Sequence, residues 1–144
     1  MPPRKTVVRA LGEIALRVRD LDAMQRFYHD VIGLELMERF PDSAFFRIAE
    51  GFGGHTQILA LFDRSDRIAR GDRSSPSADT STVDHIAFAI GLDDFAGEKG
   101  RLEALGLEVK TAEHAWVRWQ SLYVHDPEGN SIELVCFDRS VGSR

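Results

Sequence analysis

Residues 13–18 read Glu-Ile-Ala-Leu-Arg-Val, and 72 residues further on residues 85–90 read His-Ile-Ala-Phe-Ala-Ile. A second stretch, Ile-Leu-Ala-Leu-Phe-Asp-Arg-Ser at residues 58–65, returns as Glu-Leu-Val-Cys-Phe-Asp-Arg-Ser at residues 133–140. Between them the run Gly-Leu-Glu also occurs once in each half. Matches in the same order indicate two copies of one module, with small insertions in the second.

Each copy predicts one strand, one helix and three further strands. Residues 12–19 alternate between apolar and polar side chains, which is typical of a strand with one buried face. Asp20 lies where a helix N-cap belongs, and Gly33 lies where that helix ends. Further strands are predicted near residues 34–40, 43–49 and 55–62. The second copy predicts a strand at 83–90, a helix at about 93–105, and strands near 107–112, 117–125 and 131–137.

The pattern predicts an α+β fold of two βαβββ modules in tandem. Residues 1–144 are expected to form a single domain, with module one at about 11–62, a linker at 63–82 and module two at about 83–138. In each module the helix covers one sheet face and leaves the other uncovered. Two such sheets are expected to curl together and enclose a cleft between their uncovered faces.

Composition excludes several classes of protein. The chain has 144 residues, one cysteine and a net charge of −5. A single cysteine allows neither an intrachain disulfide nor a cysteine-based zinc site. The acidic balance speaks against a nucleic-acid partner, and the apolar runs are too short for a membrane span. Positive charge at the N-terminus is followed by no apolar segment, so we expect no signal peptide and a cytoplasmic protein.

Strand alternation places three metal-competent side chains on the cleft side. Glu13 and His85 begin the first strand of each module, and Glu133 lies inside an otherwise apolar last strand. A buried acid needs a partner. Two carboxylates and one imidazole suit a divalent ion such as iron, manganese, zinc, nickel or cobalt. The alternative is that Glu13 is exposed, and that His85 and Glu133 only hydrogen-bond each other.

The residues resemble a known family. The motif Glu13-Ile-Ala-Leu-Arg-Val-Arg-Asp20 with Phe27-Tyr28 and Gly33-Leu34, together with the run Asp126-Pro-Glu-Gly-Asn-Ser-Ile-Glu133-Leu, is similar to the vicinal oxygen chelate superfamily. That superfamily includes glyoxalase I, extradiol dioxygenases, methylmalonyl-CoA epimerase, fosfomycin-resistance enzymes and bleomycin-resistance proteins. The resemblance covers residues 11–138 and implies the glyoxalase/dioxygenase-like fold.

The resemblance implies metal ligands at Glu13, His85 and Glu133. Glu13 departs from the usual His or Gln. A fourth ligand in some members falls at Ile58 or its neighbour Ala60, which are apolar here, and this speaks against a four-ligand site. The pattern is closer to the three-ligand dioxygenase and fosfomycin-resistance branches, with one His replaced by Glu. Tyr123 matches a substrate-contacting tyrosine of dioxygenase-like members.

Other side chains are candidates for the substrate pocket. Tyr123 shares a strand face with Ser121 and Trp119, and it could donate a hydrogen bond to a bound oxygen. Trp116 and Trp119 could wall an aromatic pocket, although sheet packing or a dimer contact is an alternative. Arg47 could bind an anionic substrate, although a solvated strand charge is an alternative.

Two functions follow from these expectations. The first is a metal-dependent enzyme, dioxygenase-like or lyase/isomerase-like, whose small substrate chelates one divalent ion through adjacent oxygens, with Glu133 and Tyr123 as catalytic residues. The second is a metal-free, dimeric binding protein of the bleomycin-resistance kind. Small members of the superfamily commonly form homodimers, so a homodimer is expected in either case.

Overall fold

The computed structural model describes residues 7–65 and 82–142. Contacts divide the chain into two compact units, Met1–Ser75 and Pro76–Arg144. Unit 1 contains β1 (Glu13–Val18), α1 (Leu21–Arg26, continued by a π-helical segment at Phe27–Ile32), β2 (Glu35–Phe40), β3 (Ser43–Ala49) and β4 (Gln57–Asp63). Unit 2 contains β5 (His85–Ala89), α2 (Leu92–Ala104), β6 (Lys110–His114), β7 (Trp119–His125) and β8 (Ser131–Phe137).

Each unit is a four-stranded mixed sheet. The strand orders are β1-β4-β3-β2 and β5-β8-β7-β6. In each sheet the first strand of the unit runs parallel to its last strand, and the other neighbours are antiparallel. The prediction of an α+β fold built from two βαβββ modules is confirmed. The single domain and the cleft between the two sheets stay predictions.

The first helix begins and ends where the sequence predicts, but its second half is wider than an α-helix. Asp20 accepts a hydrogen bond from the backbone of Ala23 at 2.9 Å, and Gly33 ends the helix at a φ of 90°, a left-handed conformation that favours glycine. In the π-helical segment the consecutive residues Phe27 and Tyr28 are both buried. The wider turn therefore brings two neighbouring aromatic side chains into the core.

Alternation sorts the two faces of each sheet as predicted. In β1 the buried side chains are Leu16 and Val18, and in β5 they are Ile86 and Phe88. The helices α1 and α2 pack on the sheets, α1 against β4 and β3 and α2 against β8, and these buried side chains mark the covered sheet face. We call the opposite sheet face of each unit its open face. Glu13 lies on the open face of unit 1, and His85 lies on the open face of unit 2, each at the start of its strand.

Some predicted boundaries were wrong. Asp63 is the last residue of β4 and not the first of a linker, and residues 66–81 of that linker lie outside the described residues. The strand predicted at 107–112 runs from Lys110 to His114, and the next begins at Trp119 because Arg118 takes a φ of 57° in the turn. No helix within residues 7–65 and 82–142 is long and apolar enough to cross a membrane.

Candidate active site

The open face of unit 2 is laid out in rows across its strands. Ala87 on β5, Glu133 on β8 and Tyr123 on β7 lie opposite one another in one row. Ser121 lies in the next row along β7, opposite Val135. Four of the predicted site residues, namely His85, Ser121, Tyr123 and Glu133, are therefore brought together on one sheet face.

Glu133 is a buried carboxylate at the centre of this face, with only 5% of its surface exposed. The hydroxyl of Ser121, itself fully buried, donates a hydrogen bond to Glu133 Oε2 at 2.6 Å. Glu133 Oε1 lies 3.0 Å from His85 Nε2. The prediction that a buried acid here needs partners is confirmed, and the two oxygens of the carboxylate have different ones.

His85 lies between two carboxylates. Its Nδ1 is 2.6 Å from Asp84 Oδ2, and its Nε2 faces Glu133. An ionised carboxylate only accepts hydrogen bonds, and a neutral imidazole carries one proton. With that proton on Nδ1, the ring donates to Asp84 and Nε2 presents its lone pair to Glu133, where a cation would bind. With the proton on Nε2, the ring donates to Glu133, and Asp84, which is 96% exposed, is hydrated by solvent.

The His85–Glu133 pair fits a divalent ion. Two ligand atoms bound to one ion at about 2.1 Å lie about 3 to 3.4 Å apart, depending on the coordination geometry, and Nε2 and Oε1 are 3.0 Å apart. The Nδ1 contact with Asp84 is of the kind that orients a histidine when it binds a metal. Within the described part of unit 2, no third His, Cys, Asp or Glu joins the pair in a cluster that could hold a metal ion.

Tyr123 extends this cluster towards β6. We call the side chains of Asp84, His85, His114, Ser121, Tyr123 and Glu133 the polar group. His114 Nε2 lies 3.2 Å from the Tyr123 hydroxyl, and the rings of His85 and Tyr123 meet edge to face with centroids 6.3 Å apart. Burial raises the pKa of Tyr123, and the negative charge of Glu133 raises it further. The phenol therefore remains protonated at neutral pH, and it can donate a hydrogen bond beside the carboxylate.

Comparison with known proteins identifies the family. The profile of the Glyoxalase/Bleomycin resistance protein/Dioxygenase superfamily matches residues 10–134. The chain belongs to this superfamily. It is 25% identical over 128 residues to glutathione transferase FosA of Serratia marcescens, covering 89% of this chain and 81% of that protein.

Solved structures of the superfamily share the fold. Lactoylglutathione lyase from Agrobacterium tumefaciens superposes with a TM-score of 0.62 at 30% identity, covering 94% of this chain and 96% of the other. A glyoxalase/dioxygenase from Nostoc punctiforme superposes with a TM-score of 0.70 at 22% identity, covering 95% of this chain and all of the other.

Strand pairing corrects how the two superfamily modules align. The sequence repeat matches Ile58 with Glu133, but the register pairs Ala15 with Ala60 in unit 1 and Ala87 with Glu133 in unit 2. Ala60 is therefore the counterpart of Glu133. The alignment from the sequence repeat is therefore two residues out of register. The periodicity does not reveal this error, because a shift of two residues keeps every side chain on the same sheet face. Either residue is apolar, so the expectation of no fourth ligand at this position is unchanged.

The remaining predicted residues lie elsewhere. Glu13 and Arg47 are exposed on the open face of unit 1, where both flank Ile58. Trp119 shares the open face of unit 2 but lies at its far end, opposite Phe137. Cys136 is buried on the helix side, where burial and the charge of Asp138 raise the pKa of its thiol, which suits a core residue.

Sequence reasoning missed two members of the polar group. Asp84 immediately precedes His85, and this adjacency was the signal available for it. His114 ends β6 beside a turn. Its contact with Tyr123 depends on a pairing between β6 and β7 that one sequence does not specify.

Proposed function

We propose that this chain is a metal-dependent enzyme of the glyoxalase superfamily, in which His85 and Glu133 hold a divalent ion and a small substrate chelates that ion through adjacent oxygens. One observation carries the proposal: a histidine nitrogen and a carboxylate oxygen face each other at 3.0 Å, while Asp84 and Ser121 hold the opposite atoms of the two side chains. Glu13 stays the predicted third ligand.

The names of the reported relatives differ in the chemistry they indicate. One is a glutathione transferase, one a lactoylglutathione lyase and one a glyoxalase/dioxygenase. The lyase is 30% identical to this chain and the glyoxalase/dioxygenase 22%. We therefore place lyase/isomerase chemistry ahead of dioxygenase chemistry for this chain, and the name of the FosA relative adds transferase chemistry, which the sequence did not predict.

A divalent ion at this pair would supply Lewis-acid polarisation of the substrate oxygens. The side chains of the protein would orient the carboxylate and supply a proton donor. Ser121 fixes the orientation of Glu133 by its hydrogen bond, and burial keeps water away from that carboxylate. Tyr123 presents a protonated phenol, held by His114, that can donate to a developing negative charge on the substrate.

Metal content of the purified protein tests the proposal. We expect close to one divalent ion per site in the wild type, and loss of that ion in His85→Ala and Glu133→Ala. Glu113→Ala removes an exposed carboxylate from β6 and is the matched control, which should keep the metal. Glu13→Gln tests the third ligand separately. Metal retained by Glu133→Ala would overturn the assignment.

The identity of the metal then sorts the chemistry. Nickel, zinc or cobalt would agree with lyase or isomerase activity, and iron or manganese would redirect the search to ring-cleaving oxygenation.

The same contact also supports a second candidate, a metal-free binding protein. A doubly protonated His85 satisfies both Asp84 and Glu133 without any metal. Absence of metal from the wild type after reconstitution, together with stoichiometric capture of a ligand that is recovered unchanged, would select this alternative.

A further inference from the structure

The hairpin that joins β6 to β7 in unit 2 is longer than its counterpart in unit 1. In unit 1, β2 ends at Phe40, directly opposite Ser43. The residue of unit 2 in the same register position is Ala112, and β6 continues beyond it to His114, opposite Trp119. The plan that the two modules share therefore ends at Ala112, and His114 lies on an extension of unit 2.

The turn at the end of this extension is held by hydrogen bonds on both sides. The carbonyl of His114 accepts from the backbone of Val117 at 3.2 Å, and the carbonyl of Arg118 accepts from the backbone of Asp138 at 2.8 Å. Gln120 Nε2 also donates to Asp138 Oδ2 at 2.7 Å. Arg118 takes a φ of 57°, a strained conformation that persists only where its surroundings fix it. The backbone that presents His114 is therefore well fixed.

The contact between His114 and Tyr123 depends on an alanine between them. The two residues lie two rows apart on neighbouring strands, which corresponds to about 13 Å along the sheet. Their side chains nevertheless meet, with His114 Nε2 3.2 Å from the Tyr123 hydroxyl, because both lean over the row of Ala112. In unit 1, Phe40 occupies that row and its ring packs on Phe45, with centroids 6.0 Å apart. Unit 2 thus combines a shorter side chain with a longer strand, and both are needed for the contact.

The protons of the polar group can be counted. A hydroxyl carries one proton and accepts through its oxygen, whereas an ionised carboxylate only accepts. Ser121 gives its proton to Glu133. The hydroxyl of Tyr123 interacts with the same carboxylate, so the proton between them has to come from the tyrosine. The assignment with one proton in every contact is then that His114 donates from Nε2 to the oxygen of Tyr123.

We propose that His114 is a positioning residue, whose Nε2–H donates to the Tyr123 oxygen and directs the single proton of that hydroxyl towards Glu133 and the substrate oxygens bound beside it. The inference rests on the proposed function, in which the phenol donates to a developing negative charge. A donor that already points in the productive direction needs no reorganisation when that charge develops. An Nε2 without a proton would draw the phenol proton towards β6 and away from the substrate.

Raman spectroscopy of the purified protein tests the direction of this hydrogen bond without any substrate. The intensity ratio of the tyrosine Fermi doublet rises when a phenol accepts a hydrogen bond and falls when it donates one. The chain has two tyrosines, and the other, Tyr28, is fully buried in unit 1. Subtracting the spectrum of the matching Tyr123→Phe form therefore isolates Tyr123 in each variant.

We expect this ratio to fall in His114→Leu, because the variant removes the donor and leaves the phenol only donating. His114→Gln should keep the wild-type ratio, since its amide nitrogen can donate from about the same place as Nε2. The control is His29→Leu, which removes an exposed histidine from unit 1 and should leave the ratio unchanged. Metal content and the urea midpoint of unfolding close to those of the wild type show that each variant is folded.

Binding of acetohydroxamate measures the consequence for the site, because its two adjacent oxygens chelate a metal. Calorimetry is performed on protein loaded with the divalent ion that it retains on purification. We expect Tyr123→Phe and His114→Leu each to weaken binding about three- to tenfold, and His114→Gln to restore most of the loss. In the Tyr123→Phe background, His114→Leu should cause no further loss, because His114 acts only through the hydroxyl.

The outcomes separate failure of the inference from failure of the proposed function. A Raman ratio that rises in His114→Leu would show that His114 accepts from Tyr123, and an unchanged ratio would show that the two side chains share no hydrogen bond. Either result would overturn the inference, as would equal losses of acetohydroxamate affinity from His114→Leu with and without the Tyr123 hydroxyl. A ratio that falls, in a protein that binds no acetohydroxamate in any form, would keep the orientation of the hydroxyl and overturn the metal centre.

Discussion

The open faces of the two units have the same backbone plan and opposite chemistry. In unit 1 the central row is Ala15, Ala60 and Phe45, and in unit 2 it is Ala87, Glu133 and Tyr123. Phe45 packs edge to face against Phe40 and Phe62, so the centre of the first face is an apolar aromatic cluster. The comparison teaches that one module can keep the fold with an apolar face while its copy places a buried acid at the same position.

The largest expected effect on stability comes from placing a glutamate in unit 1 at the position that Glu133 occupies in unit 2. Ala60→Glu would bury a carboxylate beside Phe45, in a unit where Glu13 stands at the position of His85 and the hydroxyl of Ser43 already donates to Asp42. We expect a loss of about 3 kcal/mol or more in the free energy of unfolding at neutral pH. Urea denaturation measures it, and Ala60→Met is the control that adds bulk without charge.

The pH dependence of that variant sharpens the test. Burial would raise the carboxyl pKa in the folded state above its unfolded value, so the stability deficit should be small at about pH 4 and grow as the pH rises. A deficit equal to that of Ala60→Met at every pH would show that the apolar face of unit 1 tolerates a carboxylate.

Ser121 and its counterpart Ser43 should respond very differently to removal of their hydroxyls. Ser121→Ala takes the hydrogen bond away from the buried Glu133, and we expect a cost of about 1–2 kcal/mol in unfolding free energy. If Glu133 binds metal, affinity should also fall by roughly 10- to 100-fold. The Ser43 hydroxyl donates to the side chain of its neighbour Asp42, which is not fully buried, at 3.2 Å, so Ser43→Ala should cost well under half as much. Equal costs would contradict the special role of Glu133.

Phe45 is the counterpart of Tyr123 in unit 1. Replacing Tyr123 by phenylalanine therefore tests whether its hydroxyl serves catalysis or only its ring serves packing. Tyr123→Phe keeps the ring and removes the hydroxyl that contacts His114, so we expect a change of about 1 kcal/mol or less in stability. Turnover of a substrate should fall by about 100-fold or more. Phe45→Tyr is the reciprocal control and should leave turnover unchanged. Full activity in Tyr123→Phe would remove the tyrosine from the mechanism.

The smallest expected effect lies in the helix of unit 2. A hydrogen bond from Arg101 lowers the pKa of Glu98, so this pair stabilises the fold above the usual carboxyl pKa and the contribution is lost as the pH falls through the lowered value. Glu98→Gln should cost about 0.3–0.5 kcal/mol at pH 7 and nothing at about pH 2. Thermal unfolding at both pH values checks this, and a cost that persists in acid would point to packing instead of charge.

Much of the fold could be predicted because the pattern repeats. Strands β3 and β8 have the bounds that alternation predicts, Asp20 and Gly33 delimit the first helix, and the helix of unit 2 forms despite Gly97 and Gly100. In that helix Glu98–Arg101 and Lys99–Glu103 pairs offset part of the cost of the glycines. The π-helical segment and the turn at Arg118 could not be predicted, since both depend on packing between distant residues.

The sequence by itself determined which side chains share the open face of unit 2, because a period of two fixes the face of every residue in a strand. It determined that His85, Glu133, Ser121 and Tyr123 belong together there. Only the tertiary structure decided the register of the strands. That register makes Ala60 the counterpart of Glu133, and it places Tyr123 directly opposite Glu133. It also decided that Asp84 and His114 complete the polar group. Alternation carries no information about which residue of a neighbouring strand lies opposite, and backbone pairing alone supplies that.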